Sequence, residues 1–170
     1  MKKYILNILI FILFTSLSNS QNLDSLYVSR INDTILSKYL NEKRSIEIQL
    51  PRSYEANPDK KYPLMIVLDG DYMFNVVAGS VDYLSYWGDI PENLIVGINQ
   101  KDTRFKDSSV LDNITHTPIT STASFYDFIV NEVIPYFSKN YRISKFRVIL
   151  GQERTANFAN FFLLKKNPLF

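Results

Sequence analysis

"RVILGQERTANF", residues 147–158, decides how the rest of the chain reads. Val148, Ile149 and Leu150 make an apolar run that stops at Gly151, and after three polar residues a segment with helical periodicity begins. That is the outline of a buried strand passing through a sharp turn into a helix. Such a turn lifts one side chain clear of the sheet, and the residue placed for it here is Glu153. Whether that carboxylate does chemistry or only meets water depends on what surrounds the stretch.

Working outward, "LMIVLDG" (64–70) and "NLIVGIN" (93–99) repeat the pattern of an uninterrupted apolar run closed by a polar or glycine residue. Strands buried on both faces of a parallel sheet read this way. "KRSIEIQLP" instead alternates, with Ile46, Ile48 and Leu50 on one face until Pro51 closes it, and "NPDKKYP" is a turn. Helices are predicted over about Tyr72 to Tyr86, over "STASFYDFIVNEVIPYF", and over "TANFANFFLLKK", whose apolar residues wrap most of its surface. In the second of these Phe125, Phe128, Ile129 and Val133 share a face, Ser121 or Ser124 is placed to cap the start, and Pro135 should kink the helix or begin a new turn. Tyrosines and phenylalanines at helical spacing read as core rather than as a stacking platform. Strand and helix alternate, so the fold class is α/β with a mostly parallel sheet and flanking helices.

Taken together, "RSIEIQLPRSYEANPDKKYPLMIVLDGDYMF", "IPENLIVGINQKDTRFKD", "FIVNEVIPYFSKNYRISKFRVILGQ" and the terminal "NPLF" resemble, in order and spacing, the N-terminal half of the esterase branch of the α/β-hydrolases. That branch includes esterase D-like enzymes and siderophore esterases. The resemblance covers roughly Lys43 to Phe170 and implies a partial α/β-hydrolase fold whose C-terminal strands are missing. In the family the turn after the third buried strand reads G-H-S-x-G-G, a nucleophile elbow whose flanking small residues let two backbones pass closely. Position by position, Gly151 matches the first glycine, Gln152 replaces the histidine, Glu153 replaces the serine, Arg154 holds the variable place, and Thr155 and Ala156 replace the glycines.

A serine esterase needs a hydroxyl whose proton a histidine accepts, with an acid orienting that histidine. Glutamate cannot take that role, and the family's acid and histidine come after further strands beyond residue 170. The only histidine, His116, precedes the elbow and reads as a surface loop residue. The resemblance also implies an oxyanion hole of backbone N–H groups, mapping onto Gly70 or Asp71 and onto Arg154. Glu153 itself would be placed to accept those donors and plug the hole, or simply to face solvent. Arg104 and Asp107, in R-x-x-D form on the loop from Gln100 to Thr120, match residues near the acyl cleft of the family; their plainer reading is a local loop ion pair.

Three functional readings follow. The leading one is an esterase-like hydrolase scaffold, inactive in this form. The alternatives are a non-catalytic binding protein that uses Glu153 to grip a cationic or hydroxylated small-molecule ligand, and a hydrolase with Glu153 as a carboxylate nucleophile, as elbow carboxylates of other α/β-hydrolases attack alkyl carbons.

Bulk features narrow the setting. "MKKYILNILIFILFTSLSNSQN" has two lysines, an apolar run from Tyr4 to Phe14 and small residues at Ser18 and Ser20, the layout of a cleaved export signal over 1–20. The run is well short of the roughly 20 residues of a spanning helix, so the expectation is a periplasmic or secreted protein with no membrane anchor after cleavage. Residues 21–42 then read as a lead-in segment before a domain from 43 to 170. The formal charge of +2 falls to zero without Lys2 and Lys3, and no basic stripe remains for nucleic acid. With one histidine, no cysteine and no glycine-rich phosphate loop, neither a metal site nor a cofactor is expected. "NDT" and "NIT" match the glycosylation triplet and matter only in a host that glycosylates such sites.

Overall fold

The structure, a computed structural model, describes residues 28–109, 120–164 and 169–170. Among these residues the chain forms β1 (Arg30–Ser37), β2 (Glu42–Gln49), β3 (Tyr62–Val67), helix α1 (Gly70–Tyr86), β4 (Leu94–Ile98) and helix α2 (Arg104–Ser108). Helix α3 (Thr120–Phe128) runs through a π-helical turn (Ile129–Val133) into α4 (Ile134–Asn140), followed by β5 (Ile143–Leu150), α5 (Arg154–Phe161) and a 3-10 turn. The export-signal segment, His116 and the "NIT" triplet lie outside the described residues.

The strands form a mixed sheet in the order β1-β2-β4-β3-β5. The three apolar runs are its parallel part: β3 pairs in parallel with both β4 and β5, Leu64 facing Leu94 on one side and Arg147 on the other. The third run departs from the burial expected of it: β5 is the last strand of the described sheet, its residues are half-buried or exposed, and Phe146 is 65% exposed, because among the described residues no strand pairs with its outer edge. The alternating strand β2 runs antiparallel to β4, with Ile48 opposite Val96. Its neighbour β1 falls in the segment expected to be a lead-in; it pairs antiparallel along the whole of β2, so the domain begins well before residue 43. Its inward positions are Ile31, Asp33, Ile35 and Ser37, half of them polar, and so hydrophobic alternation does not betray it. The inward Asp33 is satisfied by the Tyr136 hydroxyl of α4 at 2.5 Å.

Helices cover both faces. On one, Phe74, Val77, Ala78 and Val81 of α1 pack on Val67 and Ile95. On the other, Phe125, Phe128, Ile129, Val133 and Phe137 join Phe158 of α5 over Ile46, Ile48, Leu64 and Ile66. The first four of these are the face predicted from spacing. The π turn has a cause in the sequence: Pro135 at the start of α4 lacks an N–H and its ring crowds the preceding turn, so the ladder there widens, with the Ile134 N–H reaching back to Ile129 O. Neither serine expected to cap this helix does so visibly; Ser124 lies within α3 and its hydroxyl donates to Thr120 O at 3.3 Å.

Not every aromatic is core. Tyr72, Tyr83 and Tyr86 of α1, with Trp87 just after it, are exposed. The expectation that helically spaced aromatics are buried holds for α3 to α5 and fails for α1.

Candidate functional site

The site forms where β3 and β5, adjacent and parallel, both end and hand over to helices. Leu68 N–H donates to Leu150 O at 2.8 Å, closing the sheet just before the two turns diverge. On the β5 side Gly151 is required: a Cβ there would lie 2.6 Å from the carbonyl carbon of Thr155. The chain then reverses at Glu153, with φ 52° and ψ −108°. That is the backbone of the first central residue in a type II′ turn, open to glycine and costly for any other residue. On the β3 side Asp69 takes a left-handed conformation at φ 54° and ψ 41°, and Gly70 packs so tightly that a Cβ would sit 2.8 Å from the backbone of Gly97 and Ile98.

The Glu153 side chain points into water, 78% exposed, and makes no capping hydrogen bond. It does not plug an oxyanion hole. Its nearest charged partner is Arg104, Nη2 to Oε2 at 3.8 Å. The turn is held by other groups: Thr155 N–H donates to Gln152 O at 3.1 Å, Asn157 N–H to Glu153 O at 3.0 Å, and Gln152 N–H to Thr155 Oγ1 at 2.8 Å. On α1, Tyr72 and Met73 N–H go to Asp69 O. Among the described residues the backbone N–H groups of Gly70, Asp71 and Arg154 have no acceptor, as expected at the starts of two helices. Both sets of donors flank the same pair of strand ends.

Arg104 and Asp107 do not pair with each other, and they stand on a helix rather than a loop. Arg104 Nε donates to Asp69 Oδ1 at 2.8 Å and Nη2 to Gln152 O at 2.9 Å, so one guanidinium ties the β3 turn to the elbow. The bond to Asp69 raises the Arg104 pKa, with burial acting in the opposite direction. Asp107 is fully buried and gripped from both sides by the Arg44 guanidinium of β2, with Thr103 Oγ1 at 2.7 Å and Gln100 Nε2 at 3.1 Å as further donors. Each of the two has a stronger partner from another element: Asp107 turns to the Arg44 guanidinium of β2, and Arg104 to the turns that follow β3 and β5.

Sequence reasoning missed Arg44, Gln100, and the side chains of Asp69 and Thr155. Asp69 is 1% exposed, accepts from Arg104 and from Thr155 Oγ1 at 2.8 Å, and receives a backbone contact through Gln100 Oε1, which takes the Asp69 N–H at 3.0 Å. Gln100 thus links the Asp69 backbone to the buried Asp107 carboxylate, to which its Nε2 donates. Tyr72 adds a hydroxyl donated to Gln152 Oε1; burial and the Asp69 charge both raise its pKa. A surface cavity of about 440 Å³ opens here, lined by Arg104, Glu153, Arg154 and Asn157. Arg154 is anchored by Ser109 Oγ at 2.9 Å and lies over the Phe105 ring. Among the described residues there is no cluster of histidine, cysteine and acids that would hold a metal ion, and no helix long and apolar enough to cross a membrane.

A strand-to-helix elbow at the end of a parallel strand, here β5, facing backbone donors from the turn after the neighbouring parallel strand β3, is the layout of an α/β-hydrolase scaffold. The family model described as "Putative esterase" matches residues 37–170, and the chain belongs to that family. Its solved structural relatives agree. An uncharacterised protein from Capnocytophaga ochracea DSM 7271 superposes with a TM-score of 0.73 at 28% identity, over 84% of this chain and 38% of that one. An IroE-like serine hydrolase from Shewanella oneidensis gives 0.72 at 26% identity, over 84% and 48%, and a ferulic acid esterase gives 0.65 at 25%, over 84% and 55%. The chain therefore spans about half or less of the length of these structures. No curated protein is a significant sequence match.

Proposed function

We propose that this esterase-family scaffold is exported and does not cleave esters by an acyl-serine route, because the elbow carries Glu153. The observation behind this reading is the pairing of an elbow backbone, φ 52° and ψ −108°, with a side chain that has no transferable proton for a histidine to accept and is turned to solvent. What supports the esterase class is the family membership and the two free sets of backbone donors at the strand ends. On this reading the chemistry in question is that of carboxylic esters or thioesters, whose developing oxyanion such backbone donors would meet. Incubation of the chain with p-nitrophenyl acetate and butyrate should release no more p-nitrophenol than Glu153→Ala. Turnover that the substitution abolishes overturns this reading in favour of a carboxylate nucleophile, which would also leave a covalent adduct on Glu153 detectable by mass.

A second reading, a cleft that binds without turnover, is favoured by the lining of the 440 Å³ cavity. Arg104 and Arg154 flank Glu153, which disfavours the cationic ligand and suits a hydroxylated or carboxylate one, drawn further by the helix N-termini. Ferulic acid, which appears in the name of one relative, a ferulic acid esterase, is a suitable probe. Ligand at 100 times Kd would stabilise the fold by about 2.7 kcal/mol. Thermal stabilisation that vanishes in Arg154→Ala supports binding at this cleft; none in the parent chain removes it.

A further inference from the structure

The outer face of α1, opposite the sheet, carries the apolar stripe that the core does not use. Tyr72, Val76, Tyr83 and Trp87 are between 48% and 66% exposed, and Val76, Gly79, Ser80, Tyr83 and Leu84 line a shallow groove of about 500 Å³. We propose that this face is the contact between two copies of the chain, packed antiparallel about a two-fold axis that passes between Gly79 and Ser80. The stripe is self-complementary about that point. Counting outward equally in both directions, Gly79 meets Ser80, Val76 meets Tyr83, and Tyr72 meets Trp87. An isologous interface requires this property, each residue's partner having that residue as its own partner.

Three further observations select a second copy as the occupant. Gly79 stands in mid-helix, where glycine costs about 1 kcal/mol against alanine, yet a Cβ there would meet nothing within 4 Å among the described residues. Close approach by an outside helix is what a small residue at the centre permits. The polar groups around the stripe are already paired: Ser80 Oγ donates to Val76 O at 2.8 Å, Asp71 accepts the Gln100 N–H at 2.8 Å, and Asp82 is forked by Arg52. Two such faces can therefore meet without stranding a charge. The helix carries no lysine or arginine, which argues against an anionic membrane surface.

The area suffices. The four aromatic side chains Tyr72, Tyr83, Tyr86 (61% exposed) and Trp87, of about 150–250 Å² each, with Val76 and Leu84, give about 600 Å² per copy, at the lower end of stable specific interfaces. The pairing also bears on the cleft. The partner's Trp87 would lie on Tyr72, whose hydroxyl holds Gln152 of the elbow, so each copy walls the rim of the other's site.

The chain has no cysteine, which makes the test direct. Ser80→Cys places one thiol beside the two-fold axis, and Ser138→Cys is its matched control, an exposed α4 serine whose hydroxyl also bonds the carbonyl four residues back. Under mild oxidation Ser80→Cys should cross-link to dimer and Ser138→Cys should not. Light scattering of the cysteine-free chain should give the dimer mass, and Val76→Glu and Tyr83→Glu, checked for fold by circular dichroism, should weaken association on the order of ten-fold or more. A monomer, equal cross-linking by both cysteines, a dimer indifferent to these substitutions, or a monomer captured by phosphatidylcholine vesicles each overturns the proposal.

Discussion

Replacing Glu153 with glycine should stabilise this protein, and the size of the effect follows from the elbow. Holding a non-glycine residue at φ 52° and ψ −108° costs about 1–3 kcal/mol, which glycine does not incur. Against this stands glycine's larger unfolded-state entropy, about 0.5–1 kcal/mol. The side chain contributes little: it is 78% exposed, caps nothing, and lies 3.8 Å from Arg104, a contact worth about 0–1 kcal/mol. Glu153→Ala removes the same contact while keeping the strain, so the glycine-minus-alanine difference isolates the backbone and should come to about 1–2 kcal/mol. Urea unfolding followed by far-UV circular dichroism reads this as a midpoint about 0.5–1 M higher for the glycine variant. A glycine variant no more stable than the alanine variant would refute the premise that the elbow is strained.

Other tests probe the groups around it. Asp107→Asn leaves the Arg44 guanidinium buried against an uncharged amide and should cost about 3–5 kcal/mol, read by the same unfolding assay. Tyr136, hydrogen-bonded to Asp33 and partly buried, has its pKa pushed up to about 12. Because the folded value is the higher one, its contribution is intact below about pH 10 and fades as pH rises toward 12, by about 2 kcal/mol at most; the stability gap between the parent chain and Tyr136→Phe should close over that window, and a constant gap counts against the linkage. For Glu92, burial pushes the pKa up, but bonds from Lys60 and Ser53 outweigh it and hold the carboxyl low. Its contribution is therefore present above about pH 4.3 and lost as pH falls through the folded value, so Glu92→Gln should flatten the acid limb of a stability–pH curve.

The parallel strands β3 and β4 were legible because they lie inside the sheet, and continuous apolar runs such as 64–68 and 94–98 have no other economical reading in a chain that alternates with helices. Strand β5 carries the same kind of run at the sheet's edge, where its residues are half-buried or exposed, so the run revealed the strand but not its burial. The strand β1 was not legible, since two of its four inward side chains are polar: Ser37 accepts from the Leu40 N–H in the following turn, and Asp33 is satisfied by Tyr136, a partner that only the tertiary fold supplies. Helix α1 was legible as a helix but not as to which face is wet: Tyr72, Val76 and Tyr83 recur at the same period as Phe74, Val77 and Val81, and periodicity does not distinguish a core stripe from an interface stripe. At the site, Glu153 could be placed because Gly151 and the strand before it fix the elbow. Arg104 and Asp107 were found but mispaired, because their partners Asp69 and Arg44 are 35 and 63 residues away in sequence.

That long-range network explains how an elbow persists without a serine. A strained backbone survives only where its surroundings over-determine it. Here the over-determination does not pass through Glu153 at all: Thr155, in a place the family gives to glycine, accepts from Gln152 N–H and donates to buried Asp69, while Arg104 grips both Asp69 and Gln152 O. The geometry is thereby set by Asp69, Arg104 and Thr155, leaving the residue at the apex free to vary. On this argument Thr155→Gly, though it restores the family residue, should loosen the elbow here, and faster amide exchange at Glu153 and Arg154 would register it. Unchanged exchange would mean that the strand and helix alone hold the turn.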